Sequence, residues 1–193
     1  MKRIHLVCML AVGITIPLAG DTSLFEAIRV NDERAVASLV GNGVDANSRN
    51  QQGTTALMYA ALHASPRVMK LLLDHGADPN AHNPLGTTAL MLAAGDPAKV
   101  KVLLEYRAAV NLRANSGRTA FIIASAYPGN LQSIRLLLAK DADPKAVDEA
   151  GDGPLGNAAA AADVSASGRI LTPGGAPALH LRHTPASVSA YVF

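Results

Sequence analysis

One cysteine, Cys8, is the whole thiol inventory of the sequence. That scarcity excludes a disulfide framework and a cysteine-ligated zinc site, both of which need several thiols at set spacing. The six histidines are too scattered to take their place. Aromatic residues make up only 4% of the 193 residues against 49% hydrophobic ones, so a core must be built from small aliphatic side chains. Charge of one sign is also in short supply. Seventeen Lys and Arg against 15 Asp and Glu leave a net charge of +2, and no basic run extends beyond Lys2-Arg3. Phosphate binding needs a clustered basic face, so nucleic acid is not an expected partner. No G-x-S-x-G, H-E-x-x-H or phosphate-loop pattern occurs.

The one long apolar run, Ile4 to Ile16, follows Lys2-Arg3 and leads into Pro17-Leu18-Ala19-Gly20-Asp21. A charged start, a hydrophobic stretch and a small-residue end make the pattern of a secretory signal. The run falls short of the ~20 residues that a bilayer-spanning helix needs. Residues 1–20 are therefore expected to be a signal peptide. An uncleaved N-terminal anchor is the alternative, since neither Pro17/Ala19 nor Leu18/Gly20 is a good small-x-small cleavage pair. A lipoprotein is disfavoured because Asp21 stands where acylation needs a cysteine. Cleavage would remove Cys8 and leave a mature chain without thiols, which suits a secreted or periplasmic location.

Beyond this segment the sequence repeats itself. Gly53-Thr54-Thr55-Ala56-Leu57-Met58-Tyr59-Ala60-Ala61 is echoed by Gly86-Thr87-Thr88-Ala89-Leu90-Met91-Leu92-Ala93-Ala94 and by Gly117-Arg118-Thr119-Ala120-Phe121-Ile122-Ile123-Ala124-Ser125, with weaker copies at Gly20 and Gly151. The glycines are 33, 33, 31 and 34 residues apart. Leu71-Leu72-Leu73, Val102-Leu103-Leu104 and Leu136-Leu137-Leu138 keep the same beat, as do Gly76-Ala77-Asp78-Pro79-Asn80 and Asp141-Ala142-Asp143-Pro144-Lys145.

Over about Gly20 to Ala162 these elements resemble the ankyrin-repeat family, through its G-x-T-P-L-H-x-A-A and L-L-x-x-G-A-D-x-N patterns. The resemblance implies an all-α solenoid: paired antiparallel helices with a projecting β-turn finger per unit, stacked into a curve whose concave face binds proteins. Units are expected near 21–52, 53–85, 86–116 and 117–150, with a partial fifth at 151–162. The residues support this on their own terms. Thr22, Thr55, Thr88 and Thr119 each precede an apolar segment and read as helix caps. Paired alanines allow close helix approach, and Val68, Leu71 and Leu72 form a stripe that only stacking can bury. Gly43 and Gly76 follow the second helix where a left-handed cap is expected, and Arg107 and Asp141 replace them later, at an expected strain of up to ~1 kcal/mol each.

Three departures from the pattern carry expectations. Met58 and Met91 replace the histidine that would bond between units, so adhesion should rest on apolar contact alone. The length changes at Gly95-Asp96-Pro97 and Tyr127-Pro128-Gly129-Asn130 should fall in loops. From Val164 to Phe193 the repeat stops and no acidic residue occurs. Residues 163–193 read as a tail of low order, either a flexible or ligand-binding extension or the shifted-frame end of a longer array.

Chemistry is sparse. Gly151-Asp152-Gly153-Pro154-Leu155-Gly156 satisfies G-x-G-x-x-G, but its glycines keep the repeat register, and a dinucleotide site would need a preceding strand. His180 and His183 are a thin basis for a metal. Asp45, Asp78 and Asp143 share one finger-base position, where a carboxylate bonds local backbone N–H groups. No cofactor, metal or catalytic residue is expected. The expected role is a non-catalytic, monomeric module that binds another protein. By family analogy its contact residues are Arg49, Gln51, Gln52, Leu62, His63, His82, Leu85, Arg113, Asn115, Arg118 and Tyr127, with Leu85 the most conspicuous as an apolar fingertip. The alternatives are the ankyrin part of a longer exported protein and, more remotely, an enzyme using the His-containing tail.

Overall fold

The structure, a computed structural model, describes residues 19–154 and 156–157. The signal segment before Ala19, Cys8, His180, His183 and the tail 163–193 lie outside the described residues. Among the described residues eight helices run in pairs: α1 (Ala19–Arg29) with α2 (Glu33–Gly41), α3 (Ala56–His63) with α4 (Pro66–Asp74), α5 (Ala89–Leu92) with α6 (Pro97–Glu105), and α7 (Ala120–Ser125) with α8 (Leu131–Leu138). The first helices stack in the order α1, α3, α5, α7, and the second helices in the order α2, α4, α6, α8. The two layers share one core. Leu24, Leu57, Leu90 and Phe121 line up through the first layer, and Val36, Met69, Val100 and Ile134 through the second, all at most 1% exposed. No helix could bury such a stripe by itself, so each unit depends on its neighbour.

Local chemistry sets the helix ends. The hydroxyls of Thr55, Thr88 and Thr119 accept from the backbone N–H of Met58, Met91 and Ile122, satisfying one otherwise orphaned donor at each start. Asp32, Ser65 and Asp96 do the same for the second helices, the last two followed by Pro66 and Pro97 at the first turn, where a missing N–H costs nothing. Thr22 is a correction: α1 already begins at Ala19, leaving Thr22 inside the helix. In the later units a finger delivers an extended residue at the threonine, and that turn of the chain starts the helix there.

The length change in the third unit does not stay within a loop. Helix α5 stops at Leu92, a turn short of α3, and Asp96 caps α6 ahead of Pro97. At the ends of the second helices the register argument holds. Arg107 and Asp141 take φ of 62° and 61°, beside 90° and 85° at Gly43 and Gly76. Asp45, Asp78 and Asp143 accept from the N–H two residues on, as their finger-base position suggests.

Adhesion by apolar contact alone is also corrected. Met58 and Met91 are buried, but two series of polar bridges join the units. Asn47 donates to the Gly76 carbonyl and accepts from Asp78 N–H, and Asn111 repeats this pair with Asp141 and Asp143. Between them, Asn80 accepts from Ala109 N–H at 2.7 Å. The second series ties the C-terminal ends of first helices to the following unit. Lys99 Nζ reaches the Ala61 carbonyl at 2.9 Å, and Asn130 Nδ2 reaches the equivalent Ala94 carbonyl at 2.8 Å. Carbonyls at a helix end have no partner within the helix, so a donor from the next unit satisfies them. The missing histidine is replaced by other residues.

Candidate protein-binding face

The fingers are held by side chains at their own turns. Asn50 accepts from the N–H of Gln52 and Thr54, and Asn83 from those of Leu85 and Thr87. Asp148 repeats the arrangement with Ala150 and Asp152 in a fifth finger. Single bridges, Arg49 to Thr55 and His82 to Thr88, close the second and third fingers. Successive fingers also touch. A Cβ on Gly86 would lie 2.8 Å from Asn115 Oδ1 and 2.9 Å from its backbone nitrogen, so the absence of a side chain there sets how closely the fingers stack.

Three of the polar side chains expected to meet a partner are engaged between fingers. Arg49 Nη1 donates to the carbonyls of Gly53 and His82 at 2.8 and 2.9 Å. Arg113 donates to the Val147 carbonyl, and Asn115 to that of Pro84. Gln51, Gln52 and His82 are exposed, and Leu85, 65% exposed, is the most open large apolar side chain described.

The first helices contribute a second set. On α3, Tyr59, Leu62 and His63 stand at positions i, i+3 and i+4, one face of a helix, with the other α3 positions buried. The same register gives Leu92, Gly95 and Asp96 in the third unit, Asp96 being taken up as the cap of α6, and Ile123, Ala126 and Tyr127 in the fourth. Phe25 meets the edge of Tyr59 with ring centroids 5.4 Å apart, and Tyr59 stacks obliquely on His63 at 4.5 Å. The Tyr127 ring lies across Gly95, where an added Cβ would be 3.3 Å from it. These residues form an apolar strip across units two to four. Tyr59, Leu92 and Ile123 were missed by sequence reasoning. The signal that could have found them is helical spacing counted back from Leu62 and Tyr127.

Comparison with known families gives a match to ankyrin repeats, in three copies covering residues 4–83, 24–114 and 68–148. The chain belongs to the ankyrin-repeat family. No curated protein matches it. Ankyrin repeats are in general protein-interaction modules, and the paired helices and fingers here are those of such units.

The face of this ankyrin stack differs from its back in charge. Residues 47–64, 80–95 and 111–127, the fingers and first helices of units two to four, contain no Asp or Glu. The one sequence-expected residue not yet placed, Arg118, is half-buried where finger meets helix, with its Nε enclosed and unpaired. The second-helix side carries both signs. A shallow groove of about 300 Å³ there is lined by Glu33, Arg67, Lys70, Leu71 and Asp74, with Arg67 and Glu33 3.8 Å apart. On the same side the Tyr106 hydroxyl donates to Asp74, which holds the phenol above its usual pKa. At the first unit, the hydrogen bond from Arg29 holds the Glu26 carboxyl below its usual value. Among the described residues no helix is long and apolar enough to cross a membrane.

Proposed function

We propose that this ankyrin array is a non-catalytic protein-binding module acting outside the cytoplasm, and that its partner lies along the first helices and fingertips of units two to four, the concave face of the stack. The observation that carries this reading is the apolar strip of Tyr59, Leu62, Leu92, Ile123 and Tyr127. Leu62 is 51% and Tyr127 49% exposed, so burial within the array gives neither its full hydrophobic gain. A contiguous apolar patch with a polar rim is the usual mark of an interaction site, and Tyr is among the residue types enriched at interface hot spots. Arg49, Arg113 and Asn115 act on this reading as struts that fix the finger rim. Leu85, Gln51, Gln52, His82, Leu62, His63, Arg118 and Tyr127 supply the contacts. The location rests on the signal-like sequence of residues 1–20.

A photo-crosslinking side chain placed at Leu62 or Tyr127 in the full chain should trap another protein in the cells that make it. The same group at Lys70, on the second-helix side, should not. Equal trapping from both sides, or none from the first two positions, would remove this face. Recovery of the chain from the cytoplasm alone would remove export while leaving the face intact.

A further inference from the structure

Resting on that reading of the face, we infer that the segment it takes is an acidic polypeptide bearing apolar side chains, with a carboxylate set against Arg118 and the apolar groups on the strip from Leu62 to Tyr127. The charge distribution points to this class. Across units two to four the fingers above their bases and the first helices, residues 47–64, 80–95 and 111–127, hold Arg49, Arg113, Arg118, His63 and His82 and no acid. The acids of these units, Asp74, Asp78, Asp96, Glu105, Asp141 and Asp143, sit on second helices, at their ends or at the finger bases that follow them, where Asp78, Asp96 and Asp143 accept from backbone N–H groups. Acidic residues border the band at Asp45, Asp78 and Asp96 and return on the face beyond it at Glu26 in the first unit and at Asp148, Glu149 and Asp152 in the fifth finger. A chain with nearly balanced charge thus presents a central band of one sign, which favours a partner of the other.

Arg118 gives the band a focus. Thr54 and Thr87 occupy its position in the second and third units. Its Nε is buried without a partner, and among the described residues its side chain makes no hydrogen bond or ion pair, whereas Arg49 and Arg113 donate to carbonyls. A desolvated donor with no acceptor is unfavourable. A carboxylate accepts from two guanidinium N–H groups at once, and by drawing this half-buried side chain outward it would give Nε an acceptor. One uncommitted arginine above an apolar floor suits a polypeptide. A nucleic-acid backbone needs several free cations.

The test selects peptides of about 16 residues, long enough to span several units, from a random phage-displayed library on the full chain. Selected peptides should be rich in Glu or Asp beside Leu, Ile or Phe, and should bind roughly tenfold more weakly when salt is raised from about 50 to about 500 mM. Selection on Arg118→Thr, which installs the residue of the sister units, should lose the acidic bias and keep the apolar one. A bias that is neutral or basic, or an acidic bias unchanged in Arg118→Thr, overturns the inference. Leu62→Asp separates the two levels. Neutral peptides that Leu62→Asp abolishes would remove the acidic class and leave the face. Peptides indifferent to Leu62→Asp, or no enrichment at all, would remove both. Tighter binding of a single-stranded oligonucleotide than of any selected peptide would also overturn it.

Discussion

At the scale of single residues, the backbone at Arg107 shows how strictly the repeat imposes its geometry. The chain leaves α6 through the left-handed region, as it leaves α2 and α4 at Gly43 and Gly76, although Arg pays a steric cost there between its Cβ and the following carbonyl. Arg107 is exposed and holds no ion pair among the described residues, so only backbone strain is at stake. Arg107→Gly is expected to stabilise the protein by no more than about 0.5 kcal/mol, net of the entropy that Gly loses on folding, which would raise Tm by ~1–2 °C in thermal unfolding. Asp141→Gly should gain less, because Asp tolerates this conformation better. The opposite case is Gly86, where φ of 72° and the nearby Asn115 both oppose a side chain. Gly86→Ala should cost about 2 kcal/mol, measured by denaturant unfolding, since the finger must shift as well as strain. Arg107 and Asp141 were legible from register alone. Asn31, with φ of 54°, was not, because its position belongs to no repeating element.

At the scale of elements, joints between units combine greasy contact with a few side chains that reach across. Asn130 is buried, and its Nδ2 donates to both the Ala94 and the Ala124 carbonyls. Asn130→Ala would strand two acceptors away from water and should cost ~2–3 kcal/mol. Asn47 also makes two side-chain bonds, both of them between units, but it is exposed and water can replace its amide. Asn47→Ala should therefore cost only about 1 kcal/mol, and the difference between the two variants under one denaturant measures the burial. Neither series of bridges could be read from the sequence. Asn47, Asn80 and Asn111 recur in the repeat register, but the register does not say what each bonds, because which group an Asn meets 29 to 36 residues away depends on how far one unit slides over the next. The helix caps were legible because a cap spans only a few residues.

At the scale of the whole molecule, the stack is a chain of nearest-neighbour contacts, so its stability should vary along its length. Helices α4 and α6 each have second-layer neighbours on both sides, while α2 begins its layer among the described helices. Native-state hydrogen exchange should show the slowest amides at Met69, Leu72, Val100 and Leu103, with faster exchange at Val36. One common rate at all five would mean that the array opens as a single unit. The same linear build places functional residues. Each unit contributes a finger and one helix face, and a surface of use to a partner exists only when several are set side by side.

The sequence by itself determined the period, the all-α architecture, the alignment of Leu57, Leu90 and Phe121 in one core and the left-handed corners, since each follows from spacing or steric demand within some 30 residues. Tertiary structure alone decided that Arg49, Arg113 and Asn115 brace neighbouring fingers, that Tyr127 lies across Gly95, and that Arg118 holds an enclosed donor with nothing to receive it. The physical reason is reach. A long polar side chain on a finger can turn outward or bond the next unit, and the offset between stacked units, fixed by packing far from the finger, settles which.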